Sequence, residues 1–145
     1  MMTLRNFRHS DYPVLQLRYP KMVKSAIFEL IKEWNLKDYK GQKFELLAIV
    51  ENGQVVGSVS MFQHGSDIVH EGIEIYPAFR RHGYAYRAIV LALERAKEQG
   101  YKIAVALVRK DNIASIGLHR KLHFHMDLEY VDFKGIEMYY FIKAL

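Results

Sequence analysis

The stretch Arg80-Arg81-His82-Gly83-Tyr84-Ala85 has the residue types and spacing best suited to chemistry in this sequence. It follows a β-forming run, Gly72 to Tyr76, and Pro77, and it opens an amphipathic segment, so a short basic loop feeds the start of a helix. Backbone N–H groups converge at such a junction while the helix dipole adds positive potential, and together they cradle an anion. Gly83 places no Cβ between backbone and ligand, and Ala85 is small enough to serve beside it. A charge-assisted hydrogen bond to phosphate contributes about 1.5–3 kcal/mol, so a few of them anchor a ligand. The chain has no glycine-rich loop ending in Gly-Lys-Ser or Gly-Lys-Thr and no triple-glycine dinucleotide fingerprint, which excludes those phosphate sites.

The charge distribution agrees with an anionic partner. Of a formal net charge of +5, the span from Arg80 to Lys121 carries a local +7, ten basic residues against Glu94, Glu98 and Asp111, which leaves the rest at −2. A nucleic-acid module is disfavoured because no recognition pattern accompanies these charges. Of the seven histidines, His119 and His123 stand four apart with His125 nearby, but no carboxylate sits at a supporting spacing, so no metal is expected. With no cysteine there is no disulfide, no thiolate ligand and no cysteine nucleophile, and a reducing cytoplasm is the expected setting. The longest apolar runs, Ala88 to Leu93 and Ile103 to Val108, are six residues each, far short of the roughly 20 needed to cross a bilayer, so no membrane partner is expected.

The elements that must position these residues read as one continuous alternation over residues 1–145, a single domain without linker or repeat. Thr3 to Arg8 alternates like a strand; Ser10, Asp11 and Pro13 mark a helix start, and Pro20 ends that helix. Val23, Ala26, Ile27, Leu30, Ile31 and Trp34 then recur at helical spacing. Phe44–Val50 and Gln54–Phe62 flank Asn52-Gly53, a tight-hairpin pair, and Ile68–Tyr76 continues as a strand. A helix is expected from about Gly83 to Gln99, stopping at Gly100. Tyr101–Val108 reads as a central strand buried on both faces. Asp111 or Asn112 caps a helix to about Leu122, and a hairpin over Lys134-Gly135 closes the chain. This is an α/β (α+β) domain with a mixed sheet.

At this point the sequence resembles the GNAT superfamily of acyl-coenzyme A dependent N-acetyltransferases. Arg80 to Ala85 matches the family's Arg/Gln-x-x-Gly-x-Gly/Ala pyrophosphate loop, and Ile73-Glu74-Ile75-Tyr76-Pro77 matches the strand before it. Asn112 to Phe124 resembles the family's Asn-x-x-Ser/Ala-x-x-Leu-Tyr-x-Lys-Leu-Gly-Phe segment, in the right order and separated from the loop by a helix and a strand. The resemblance implies a three-layer domain: a mostly antiparallel mixed sheet, flanked by about four helices, that splays into a V between the strand ending near Tyr76 and the strand beginning near Tyr101. Acetyl-coenzyme A is then the expected co-substrate. Its pantetheine would run along Ile73, Glu74 and Ile75, and its pyrophosphate would sit on the loop residues Arg80, Arg81, His82, Gly83, Tyr84 and Ala85. Asn112, Ser115 and His119 would complete the cofactor site.

Two positions depart from the family pattern. His119 stands where the family has a tyrosine that protonates the departing thiolate, and the open alternatives are that histidine takes over the acid role or that it packs and contacts the cofactor. His123 replaces the glycine before Phe124, which puts the shape of that helix end in question. An amine must be neutral to attack a thioester, so Glu71 and Glu74 are candidate bases or attractors of a cationic substrate, and a backbone N–H near Ile75 suits the oxyanion. The −3 charge between Gly41 and Arg80 favours a cationic small-molecule or peptide amine as acceptor. Of Tyr12, Tyr19, Phe28, Trp34 and Tyr39, most are expected in the core and one or two along the acceptor pocket. The chain is read as a monomer or a homodimer paired through C-terminal edge strands. The reading from a different class is a domain that binds acyl-coenzyme A as a sensor or structural ligand without turnover.

Overall fold

Asn52 and Gly53 take left-handed backbone angles (φ 50° and 81°). They turn β3 (Gln42–Glu51) into β4 (Gln54–His64), the longest hairpin of the fold. The computed structural model describes all 145 residues. Around that hairpin the sheet adds β1 (Met2–Asn6), β5 (Ile68–Ile75), β6 (Ile103–Arg109), β7 (His125–Val131) and β8 (Glu137–Ala144), in the order β1-β3-β4-β5-β6-β8-β7. A two-residue strand, β2 (Asp38–Tyr39), also pairs with β3; two residues are too short a run to show any periodicity. The β5–β6 pair is parallel, and the other neighbours are antiparallel.

The helices are α1 (Tyr12–Arg18), α2 (Lys24–Leu36), α3 (Tyr84–Glu98) and α4 (Ile113–Lys121). Leu15 of α1 and Ile27 and Ile31 of α2 pack with Phe7, Ala48, Val50, Val55 and Tyr76. Alternation along the strands sends Leu47, Ile49, Val59, Met61 and Val69 to the other face, where they meet Ala88, Ile89, Ala92 and Leu93 of α3 and Leu122 and Phe124 beyond α4. Helices therefore cover both faces of the sheet, as expected. No helix is long and apolar enough to cross a membrane.

Two features of the strands shape the functional region. Pairing of β5 with β6 stops after Ile68↔Ile103, Val69↔Ala104 and His70↔Val105, while β5 continues along β4 as far as Ile75↔Gly57. From Glu71 onward β5 therefore keeps one neighbour, and the sheet parts at the strands where a V was expected. On β4, pairing runs Ile49↔Gly57 and then Val50↔Val55, so Val56 is an extra, bulged residue. Its carbonyl accepts a hydrogen bond from the Tyr76 N–H at 2.9 Å. Gly57 is required here, because a Cβ would lie 2.1 Å from the Glu74 carbonyl oxygen. The expectation that Tyr101–Val108 is buried on both faces holds for Ala104, Val105, Ala106 and Val108 and is corrected at Leu107. Leu107 is 38% exposed and Arg109 is exposed, in the part of β6 that has lost β5 as its neighbour.

The end of α4 answers the question raised by His123. His123 adopts φ 66°, the left-handed angle glycine would supply. Its N–H donates to the Arg120 carbonyl and that of Phe124 to the His119 carbonyl, at 3.0 and 2.9 Å. These are the paired bonds of a Schellman C-cap, with the accompanying side-chain contact between His119 and Phe124 at 5.0 Å between ring centres. The helix end keeps its shape, and His123 bears the strain.

Candidate active site

Where β5 and β6 part, a cleft of about 750 Å³ opens. Its walls are Ile73, Glu74 and Ile75 of β5, the loop residues Arg80, Arg81 and Gly83, the first turn of α3 from Tyr84 to Tyr86, and the α4 side with Asn112, Ala114, Ser115, Leu118 and Lys121. Left-handed angles at Arg81 (φ 68°) and Gly83 (φ 74°), with His82 between them, curl the loop ahead of α3, and turns that mix left- and right-handed residues are the kind that aim successive N–H groups at an anion. Gly83 is the residue before the first turn of α3, and a Cβ added to it would meet no protein atom within 4 Å. The backbone there is open to a ligand, which fits a pyrophosphate cradle.

The predicted cofactor residues divide by position. Arg80 borders the cleft, but its Nε donates to the Ile75 carbonyl at 2.9 Å, tying the loop to the strand end. The His82 side chain is not among the cleft walls; its ring stacks on Tyr84 with centres 5.3 Å apart. Asn112 caps α4: its side-chain oxygen accepts the Ser115 N–H at 3.1 Å, and the residue still borders the cleft.

The candidate catalytic residues lie on two faces of β5. His119 is 2% exposed and is not among the cleft walls. Its Nε2 lies 2.5 Å from Oε1 of Glu71, itself 4% exposed. The other Glu71 oxygen, Oε2, is buried without a partner. His119 Nδ1 donates to the Ser115 carbonyl at 2.8 Å, and the Ser115 hydroxyl oxygen stands 3.3 Å from the same nitrogen. Since a carbonyl only accepts, Nδ1 carries a proton. Burial works against charge on this imidazole, but the Glu71 carboxylate and the Ser115 carbonyl outweigh it and raise the His119 pKa above the ordinary value. No ring nitrogen is therefore free to face the cleft; the hydroxyl that borders both is that of Ser115.

Glu74 points away from this pair, as strand alternation dictates. Both of its oxygens accept from Arg18 at the end of α1, Nε to Oε1 at 2.6 Å and Nη2 to Oε2 at 2.8 Å. The pair borders a second cavity of about 250 Å³ together with Tyr19, Leu46, Ser58, Ser60, Gly72 and Ile73. This cavity shares Ile73 and Glu74 with the larger cleft, so β5 is the wall between them. Of the five aromatic residues considered for an acceptor pocket, Tyr19 lines this cavity, while Tyr12 packs on Phe28 and Trp34 on Phe7. Arg18 carried no signal in the sequence for this role, standing 56 positions from Glu74 with no motif around it. No group of three or more His, Cys, Asp or Glu is placed to hold a metal ion.

A sheet parted above a glycine-containing loop at a helix start, with a capped second helix on the far wall, defines the splayed acyltransferase architecture. The chain belongs to the Acetyltransferase (GNAT) family, whose model matches residues 3–124. It is 31% identical over 86 residues to L-methionine sulfoximine/L-methionine sulfone acetyltransferase of Pseudomonas paraeruginosa and of Pseudomonas aeruginosa. That match covers 56% of this chain and 50% of each relative, so the chain aligns with half the length of these proteins. Among solved structures, RimL, a ribosomal L7/L12 alpha-N-protein acetyltransferase in complex with coenzyme A, superposes with a TM-score of 0.85 at 14% identity, covering 99% of this chain and 94% of that one. RimJ of Mycobacterium smegmatis, solved with CoA-disulfide, gives 0.82 at 14% identity, covering 99% and 81%. These likenesses concern the fold.

Proposed function

We propose that the protein is a cytoplasmic enzyme, one domain over residues 1–145, that moves an acetyl group from acetyl-coenzyme A to a primary amine of a small molecule or peptide by direct attack, with both substrates bound at once. The observation that carries this reading is the cleft between the parted strands, lined by the loop residues Arg80, Arg81 and Gly83 to Ala85 and flanked by the edge of β5 that β6 no longer pairs. In this reading the loop amides hold the pyrophosphate, and the backbone of Ile73 to Ile75 pairs with the pantetheine arm. The donor supplies an activated acetyl carbonyl with a thiolate leaving group.

The acceptor nitrogen is charged at neutral pH, near pKa 10, and must first lose a proton. Glu74 borders both cavities and receives that proton, directly or through a water. The amide N–H at Ile75 steadies the negative charge gathering on the acetyl oxygen. As the new C–N bond forms and the C–S bond breaks, the hydroxyl of Ser115 gives its proton to the sulfur and recovers one from His119 Nδ1. Glu71 holds that imidazole charged and oriented until then. The acylated nitrogen releases its second proton to solvent; Glu74 then gives up the proton it took and His119 regains the one it gave, so one acetyl is transferred and a net one proton is released per turnover. His119 thus acts through Ser115, a positioning and proton-supplying role in place of the tyrosine expected from the resemblance.

Titration calorimetry with acetyl-coenzyme A checks the cradle. Gly83→Glu places a carboxylate against the pyrophosphate and is expected to weaken binding at least 100-fold, about 2.7 kcal/mol; unchanged affinity would remove the site. Ser115→Ala is expected to lower kcat by about 10²-fold or more with the acetyl-coenzyme A affinity within a factor of about three. The withdrawal of His119 from the cleft also suits a domain that binds acyl-coenzyme A without turnover. Thiol release with a broad panel of amines separates the two readings.

A further inference from the structure

We infer that the acceptor is a free α-amino acid, its carboxylate recognised by Arg18 and its amine by Glu74 in the smaller cavity behind β5. The inference rests on the acetyltransferase reading above and names the acceptor for that site. Three observations carry it.

The first is charge. The wall of this cavity presents one guanidinium and one carboxylate in contact, 2.6 and 2.8 Å between paired atoms. A surface with one charge of each sign attracts neither a polycation nor a polyanion as a whole; it complements a molecule that carries an ammonium and a carboxylate on neighbouring atoms. The second is unsatisfied capacity. Arg18 spends two of its five N–H groups on Glu74, and each Glu74 oxygen accepts one bond where it has room for two. The side chains are 37% and 35% exposed, so these remaining positions are reachable. The Arg18 guanidinium also rests 4.8 Å from the centre of the Tyr19 ring, which fixes its plane. The third is place and size. Glu74 is common to this cavity and the donor cleft, so an amine held on its carboxylate lies beside the strand along which the thioester is expected. A volume of about 250 Å³ suits a compact molecule better than a polypeptide segment.

The step itself is the one already balanced: the α-nitrogen forms the amide bond, the C–S bond breaks, and Glu74 takes the first proton. Arg18 contributes the carboxylate contact alone. An arginine–carboxylate contact of about 1.5–3 kcal/mol corresponds to roughly 10- to 150-fold in kcat/KM.

The test uses the full chain with acetyl-coenzyme A, following thiol release with L-amino acids, with the primary amines that differ from each by loss of the carboxylate, with the amino-acid amides, and with spermidine. At least one amino acid is expected to exceed its matched amine and amide by 10-fold or more. Arg18→Gln is expected to bring that ratio within a factor of about three, whatever it does to the common rate through Glu74, because only the acceptors that carry a carboxylate lose the Arg18 contact. Binding of the same amino acids to the protein loaded with coenzyme A, followed by saturation-transfer NMR, should weaken in parallel. Preference for amides, plain amines or spermidine, or a ratio unchanged by Arg18→Gln, overturns the inference and leaves the acetyltransferase reading standing. If acetyl-coenzyme A binds and no amino acid binds or reacts, the inference also falls. Absence of acetyl-coenzyme A binding in calorimetry overturns the underlying reading instead.

Discussion

Replacing His119 by phenylalanine removes one half of the most buried polar pair in the molecule, and the structure sets what that costs. Phenylalanine fills the ring's place between Phe124 and Phe141, whose centres lie 5.0 and 5.9 Å from the imidazole. What is lost is the 2.5 Å partner of Glu71, whose second oxygen already has none, so the carboxylate is left alone at 4% exposure. Removing one member of such a pair costs about 3–5 kcal/mol, against a total of about 5–15 kcal/mol for a domain. At about 2–4 °C per kcal/mol for a chain of this size, the melting temperature should fall by about 10 °C. The double variant Glu71→Leu/His119→Phe removes both polar groups and should recover to within about 1 kcal/mol of the parent. Urea unfolding of the four proteins of this cycle, followed by two probes, measures the coupling, expected at about 2–3 kcal/mol. The pH dependence has a definite sign. Because the folded-state pKa of His119 is raised, its contribution is complete below the ordinary imidazole value of about 6.5 and is lost as pH rises through the folded value. The advantage of the parent over the double variant should therefore shrink between pH 6 and pH 9. A coupling below about 0.5 kcal/mol, or an advantage that grows with pH, refutes the reasoning.

Two further outcomes follow from the same structure. His123→Gly relieves an L-residue of its left-handed angle at the end of α4, a strain of about 1–2 kcal/mol partly offset by glycine's chain entropy of about 0.5–1 kcal/mol; a gain of about 0.5–1 kcal/mol in urea unfolding is expected, and a loss would mean that the imidazole itself stabilises the cap. Glu45, 2% exposed on β3, accepts from Arg95 of α3 at 2.9 and 3.1 Å. Burial pushes its pKa up, but the Arg95 guanidinium outweighs this, with Gln99 and Lys37 assisting, and holds it down at about 2. The pair's stabilisation is present above the unfolded carboxyl value of about 4.3 and fades as pH falls through about 2. Arg95→Met should therefore cost about 2 kcal/mol at pH 6, a figure kept low by the 38% exposure of Arg95, and less at pH 2.5. An equal cost at both pH values would argue against the charge pair as its source.

What the sequence determined by itself is local. Asn52-Gly53 can turn only a few ways, and it made the hairpin between β3 and β4. The apolar stripe of α2 and the cap of α4 by Asn112 are likewise written within a turn or two of helix. The basic loop before α3 was legible for the same reason: the converging amides belong to consecutive residues, so spacing alone implies the cradle. Alternation also told that Glu71 and Glu74 face opposite ways, yet not what each would meet. Only the crossing of strands and helices decided that. It brought His119 to Glu71 across 48 positions and Arg18 to Glu74 across 56. It also moved the proton-bearing nitrogen from the cleft to the back of Ser115. No periodicity encodes such pairs, because their distances are fixed by where the sheet parts and how far each helix leans over it, and those follow from packing summed over the whole chain.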